Sequence, residues 1–264
     1  MKKTISFMYP EGKIQALTMS YDDGVIEDRQ LVEIFNKYKI KGTFHINAGL
    51  LGNGNRLGAS EISKLYEGHE ISCHGFTHPY LDRISRTETV REILDDRIEL
   101  EKLSGCPVRG LSYPYGAWNT ETLEILKSLD IVYSRTTVST GKFNLPDNFL
   151  EWHPTCHHND KLTERAEQFR SSSRNFSLLY VWGHAYEFAR QNNWELIESF
   201  CKTIAGDEKI WYATNIEIYD YVMLMKRLEF SADRTMVKNP GAVPAWLRVD
   251  GAPVKIMPGE LKQL

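Results

Sequence analysis

Seven apolar, β-rich runs alternate with amphipathic helical stretches over roughly the first 230 residues, and that alternation constrains the fold more than any other property of the chain. Parallel neighbours cannot be joined by a tight hairpin; they need a crossover, and a helix is the usual one. Strands are expected at residues 14–21, 43–47, 69–73, 108–113, 131–136, 176–182 and 209–213. Several helix ends are explicit: Ser85 with Glu88 and Thr214 with Glu217 form capping boxes, Asn119 caps the stretch 121–129, and Gly105 stops the helix before it. Residues 136–160 read as a long polar loop, a length that in a compact domain is functional or mobile. The expected fold is α/β, a distorted seven-stranded parallel (β/α) barrel over residues 1–229, one unit short of the eight-fold type.

From Phe230 the text changes to β-branched residues with turn signals at Asn239-Pro240-Gly241, Asp250-Gly251 and Pro258-Gly259. Residues 230–264 therefore read as a small C-terminal antiparallel β appendage with a hairpin at Asp250-Gly251. Its exposed sheet edge could cover a cleft or pair with a second chain, making an oligomer through the appendage. At 42% hydrophobic the chain can bury a sizeable core, and 32 basic against 35 acidic residues, net −3, provide no field for nucleic acid or anionic lipid. No run approaches the roughly 20 apolar residues that span a bilayer, and Met1 to Gly12 lacks the apolar core of a secretory signal, so a cytoplasmic protein is the expectation. Cys73, Cys106, Cys156 and Cys201 form no CxxC pattern and read as small core residues rather than a disulfide framework.

Polar clusters stand at the ends of these strands. Ser20-Tyr21-Asp22-Asp23-Gly24 puts two carboxylates at the C-terminal end of the first strand, where α/β enzymes keep their chemistry. A solvated turn is the bland alternative. His74-Gly75-Phe76-Thr77-His78 follows the third strand; Pro79 favours a loop over a helix there, and with Asp23 the two histidines make a His-His-carboxylate set. Such a set leaves coordination positions open, as catalytic zinc or non-haem iron requires. Ser112-Tyr113-Pro114-Tyr115-Gly116 ends the fourth strand, and Trp182-Gly183-His184 ends the sixth.

In order and spacing, Asp22-Asp23, His74 to His78, Tyr113-Pro114-Tyr115-Gly116 and His184 resemble the polysaccharide deacetylase family, carbohydrate esterase family 4, across residues 16 to about 190. The resemblance implies a distorted barrel that removes acetyl groups from sugars with a divalent metal, zinc being the expected ion. It implies Asp23, His74 and His78 as metal ligands, Asp22 as general base, His184 as general acid, and the Tyr115 backbone N–H as an oxyanion donor. An acetylated carbohydrate is the implied substrate.

Two departures from the family pattern stand out. Gly75 replaces a Ser or Thr, and Ser112 occupies the place of an Arg that pairs with the base. The acid that steadies His184 is not evident, with Glu151, Asp160 and Glu187 as candidates. One of His153, His157 and His158 in the long loop could line the cleft; Trp118, Trp152, Trp182 and Tyr186 could stack on a sugar or simply pack; His45 and His69 read as structural. Rival functions are a cyclic amide or ureide hydrolase on the same fold and a catalytically silent carbohydrate-binding protein.

Overall fold

The computed structural model describes residues 3–264. In chain order the strands are β1 Ile5–Met8, β2 Gln15–Asp22, β3 Gly42–Ile46, β4 Glu70–Cys73, β5 Gly110–Ser112, β6 Tyr133–Arg135, β7 Cys156–His157, β8 Ser177–Gly183 and β9 Ile210–Tyr212. Strands β2 to β9 are parallel, in the order β6-β5-β4-β3-β2-β8-β7. Strand β9 pairs with Gln15–Leu17 at the start of β2, and β3 pairs with Met19–Asp22 further along, so two strands use one edge in succession. That sharing distorts the barrel and explains how a ring one unit short can form.

Strand β2 is buried along its whole length, and its period of two separates two jobs. Leu17, Met19 and Tyr21 join the core beneath the helices. On the alternate positions Thr18 bonds Asn215 at 2.7 Å and Ser20 bonds His45 at 2.8 Å in a polar lumen. Asp22 ends this lumenal column, so the pleat that buries Tyr21 outward also turns Asp22 inward.

The segment 136–160 differs from a structureless loop. Trp152 N–H donates to Ser134 O at 2.9 Å and Thr136 N–H to Trp152 O at 3.1 Å, tying it to β6. Thr155 N–H donates to Tyr180 O at 2.8 Å and His158 N–H to Trp182 O at 2.9 Å, tying its other end to β8. Residues 152–158 thus close the barrel between its two end strands. A two-residue strand has no hydrophobic period, which is why β7 left no pattern in the sequence. A helix at Ala185–Gln191, directly after β8, was also not anticipated.

The remaining strands are β10 Glu229–Phe230, β11 Met236–Lys238, β12 Ala245–Val249, β13 Ala252–Ile256 and β14 Leu261–Gln263. They form two three-stranded antiparallel sheets, β1-β12-β13 and β10-β11-β14. Asp250 and Gly251 at the β12–β13 hairpin have φ of 49° and 89°, the signature of a type I′ turn. Strand β1 enters the appendage by pairing with β12, so this sheet draws on both ends of the chain. Leu247, Val249 and Ile256 pack into one cluster with Tyr221, Leu224 and Met225 of the helix Asn215–Lys226. Among the described residues, no helix is long and apolar enough to cross a membrane, and all four cysteines are free, with Cys73, Cys156 and Cys201 buried.

Candidate active site

The C-terminal strand ends bring Asp22, Asp23, His74, His78, Ser112, Arg135, His157, His158, His184 and Glu187 into one cluster. Asp23 follows β2 with a φ of 87°, a left-handed conformation that Asp tolerates better than most residues. Its carboxylate therefore diverges from that of Asp22. His74 Nε2 lies 3.9 Å and His78 Nε2 3.8 Å from Asp23 Oδ1, and the two nitrogens are 3.1 Å apart.

The loop carrying these histidines is held from three sides. Asn47 Nδ2 donates to His74 O at 2.6 Å and Gly75 O at 2.7 Å. Asp96 Oδ2 accepts the His74 N–H at 2.9 Å while its Oδ1 accepts the Ala48 N–H at 2.7 Å. Glu92 takes the Thr77 N–H at 2.7 Å and hydroxyl at 2.6 Å. Gly75 has a φ of 74°, so its replacement of a larger residue fits the turn.

Donor chemistry fits a divalent metal at Asp23, His74 and His78. His74 Nδ1–H points at Ser112 O, 2.9 Å away, which leaves the Nε2 lone pair facing the other ligands. Burial lowers the His74 pKa and brings that of His78 to about 4, so both rings are neutral at pH 7. Two imidazole nitrogens at 3.1 Å call for a shared cation, and tetrahedral ligands bound at about 2.0–2.1 Å stand roughly 3.3 Å apart. Asp23 Oδ1 is buried without a hydrogen bond; Arg56 Nη1 is 3.0 Å away as an ion pair but is not aligned on it.

A second imidazole-carboxylate group, His157, His184 and Glu187, is also close enough to hold an ion. Its tautomers argue otherwise. The Asn159 N–H donates to His157 Nδ1 at 3.2 Å, so the neutral ring carries its proton on Nε2, towards Glu187. A hydrogen-bonding network, not a metal site, fits that arrangement.

Asp22 is supplied with the guanidinium that the Ser112 motif lacks. Arg135, at the end of β6 and fully buried, donates through Nη2 to Asp22 Oδ2. Ser112 Oγ donates to Asp22 Oδ1 at 3.1 Å and lies 2.7 Å from His74 Nδ1, linking this carboxylate to the ligand set. Burial alone would raise the Asp22 pKa, but Arg135, then His74, His45 and His184, hold it well below the ordinary 3.8. Sequence reasoning missed Arg135; the signal available was a lone cation closing a β-rich run, as acids and histidines close others.

Replacing Arg135 by Met leaves Asp22 as an unpaired buried charge and is expected to cost about 3–5 kcal/mol of stability. A carboxyl with a depressed folded pKa stabilises above its unfolded value near 3.8 and loses that contribution as pH falls through the folded value. The variant's loss should therefore be full at pH 7 and shrink below pH 4, measured by urea unfolding across that range. An equal loss at pH 7 and pH 3 would contradict the pairing.

His184 stands on the other side of Asp22, with Nε2 4.0 Å from Asp22 Oδ2 and Nδ1 bonded to Glu187 Oε1 at 3.0 Å. Burial acts to lower its pKa, but the Glu187 bond and then Asp22 and Asp23 outweigh burial and raise it above 6.5. Of the three acids considered from sequence, Glu187 is thus the partner; Glu151 bonds Asn148 at 2.6 Å and Asp160 bonds Ser139 at 3.2 Å. His157 and His158 reach Glu187, whereas His153 bonds Thr136 at 2.6 Å.

Aromatic walls flank the cluster. The Tyr115 ring lies 4.4 Å from His78 and stacks at 3.9 Å on Tyr80. Tyr115 has a φ of 57° and an exposed side chain. Tyr186 stacks on His184 at 5.0 Å, and the Arg135 guanidinium sits 4.4 Å over the Trp182 ring. Trp152 is core, Trp118 packs on Tyr113 at 5.9 Å, and His45 and His69 are bonded within the scaffold.

Fold and cluster define a class: a parallel barrel with carboxylates and imidazoles converging at the C-terminal strand ends. The family model described as polysaccharide deacetylase matches residues 9–134. The chain is 32% identical over 120 residues to the peptidoglycan-N-acetylmuramic acid deacetylase PdaC of Bacillus subtilis, covering 45% of this chain and 25% of that protein. It is 24% identical over 110 residues to a chitooligosaccharide deacetylase of Sinorhizobium fredii, covering 40% and 49%. A solved polysaccharide deacetylase structure from Mycobacterium smegmatis, described as putative in its name, superposes with a TM-score of 0.60 at 16% identity, covering 83% of this chain and 93% of that one, a likeness of fold. Residues 9–134 thus match the polysaccharide deacetylase family, and the curated relatives are named as deacetylases. The chain spans between a quarter and a half of the length of these two curated relatives.

Proposed function

We propose that this protein is a metal-dependent hydrolase that removes the N-acetyl group of an acetylated amino sugar or oligosaccharide. The observation that carries the reading is the division of labour between adjacent acids: Asp23 joins His74 and His78, while Asp22 is held apart by Arg135 and Ser112 and faces His184 at 4.0 Å. The two curated relatives are named as deacetylases of acetylated sugars, which supports the substrate class.

The donor set of two neutral imidazoles and one carboxylate suits Zn2+, which when bound would polarise the acetyl carbonyl and lower the pKa of water. Asp22, ionised across the working range, accepts the proton of the attacking water. The water oxygen bonds to the carbonyl carbon, and the Tyr115 N–H is placed in this reading to share the oxyanion charge. His184 gives its Nε2 proton to the amine nitrogen as the C–N bond breaks, so acetic acid and a free amino sugar leave. The Tyr115 and Tyr186 rings offer apolar faces for the sugar.

Acetate release is to be measured on N-acetylated glucosamine oligomers, acetylated muramyl glycans and O-acetylated xylooligosaccharides, with cyclic ureides in parallel. Release from an N-acetylated substrate, dependent on added Zn2+, is the expected outcome. Ring opening of a ureide without acetate release would replace the reading with the rival hydrolase.

A further inference from the structure

Between Ile46 and Ser60 the chain carries one charged side chain, Arg56, in a stretch otherwise made of Gly, Asn, Leu and Ala. Such a composition suits turns, and Gly52 and Gly54 have φ of 79° and 59°. The segment is nonetheless tied to the residues that follow β2. Ile26 N–H donates to Asn55 O at 2.9 Å, Leu57 N–H donates to Gly24 O at 2.9 Å, and Val25 and Arg56 oppose each other in an antiparallel bridge. Val25 and Leu57 are buried and anchor this strip in the core.

The bridge sets Arg56 beside Asp23. Its Nη1 donates to the Asp23 backbone O and lies 3.0 Å from Asp23 Oδ1, both side chains being largely buried. The two contacts differ in kind. The carbonyl accepts a hydrogen bond, whereas Oδ1 has an ion pair that is out of line, so that oxygen keeps its lone pairs for the ligand set. On its other side Asp23 donates its N–H to His45 O at 2.8 Å. A non-glycine residue with a φ of 87° persists where its surroundings over-determine it, and these two backbone bonds supply that constraint.

We propose that Arg56 is the positioning residue of Asp23: it fixes the left-handed backbone that turns Oδ1 towards His74 and His78, and the segment 47–57 is the frame that delivers it. The proposal rests on the reading of Asp23, His74 and His78 as a metal set. Two effects of the guanidinium oppose each other. Its positive charge repels a divalent ion, while its hydrogen bond holds the carboxylate ready to bind without further ordering. The repulsion is damped because Arg56 is partly open to water at the cleft. Release of the Asp23 carbonyl, by contrast, lets the backbone relax away from its left-handed conformation and takes one of three donors out of the set. Positioning therefore outweighs repulsion, and a chain without Arg56 binds the ion more weakly.

The test is Zn2+ affinity, read on the full chain by competition with a chromophoric chelator at pH 7, with Co2+ visible absorption reporting the ligand field. Arg56→Met is expected to raise the Zn2+ Kd roughly 10–100-fold and to shift the Co2+ bands, as loss of a carboxylate ligand requires. One nitrogen makes both contacts, so Arg56→Lys, whose ammonium is a point donor on a long stem, should stay within about threefold of the unaltered protein. An arginine with a merely structural role would lower the unfolding midpoint and leave the Kd of the folded protein unchanged. One acting only through its charge would give a tighter site when removed. Either result overturns the proposal, as does a Lys variant as weak as the Met variant. Should Arg56→Met fail to fold, Arg56→Gln, uncharged and too short for the Asp23 carbonyl, is judged by the same Kd. If the unaltered protein takes up no Zn2+, the metal reading falls and this role with it; a Kd unmoved by Arg56→Met removes the role alone.

Discussion

Asp22→Asn is expected to lower turnover on an acetylated amino sugar by about 10²–10⁴-fold, the span typical of a lost general base. Its amide still accepts a bond from Ser112, so cleft shape is largely kept, but it cannot take a proton from water. The substitution also removes the counter-charge of the buried Arg135, and an unpaired buried guanidinium destabilises by about 3–5 kcal/mol. Turnover alone would therefore confound chemistry with folding. Pairing it with Arg135→Met removes both charges together, which for buried pairs is often neutral. The double variant is expected to unfold near the unaltered protein's midpoint, to keep its metal, and to remain inactive. Recovery of turnover to within tenfold in the double variant would remove Asp22 as the base.

The second large effect is on metal content. His74→Ala with His78→Ala deletes two of three donors, and the remaining Asp23 would have only Arg56 near it at 3.0 Å. Elemental analysis after dialysis is expected to fall from about one divalent ion per chain to under about a tenth, with turnover lost in parallel. Because metal binding adds RT ln(1 + [L]/Kd) to stability, the unaltered protein should gain thermal stability with added Zn2+ while the double variant should not. Unchanged metal content would sink the ligand assignment irrespective of activity.

These two experiments rest on parts of the molecule that were unequally visible in the sequence. Asp22, Asp23, His74 and His78 stand at the ends of strands whose apolar periods are long enough to read, so their convergence follows once the sheet is known to be parallel. Arg135 ends a strand in the same way, yet its approach to Asp22 spans 113 residues of chain and depends on how the barrel curls. Nothing local distinguishes it from a surface arginine. The same holds for β7: two residues cannot show a period, and their pairing with β8, like the tie of nearby Trp152 to β6, exists only once those distant strands are in place.

Glu187 illustrates the limit differently. The sequence places it three residues after His184, but only the helix Ala185–Gln191, which follows β8 directly, puts the two on one face. What singled it out over Glu151 and Asp160 was contact with His157 and His158, which the closing segment delivers.

By itself the sequence determined the α/β alternation, the antiparallel appendage with its Asp250-Gly251 hairpin, and the metal-ligand candidates Asp23, His74 and His78, because each is written in short-range spacing. Tertiary structure alone decided which cation serves Asp22, which acid serves His184, and that residues 152–158 close the barrel. Those choices are pairings between strand ends far apart in the chain, and their geometry is set by sheet curvature and register rather than by any local preference.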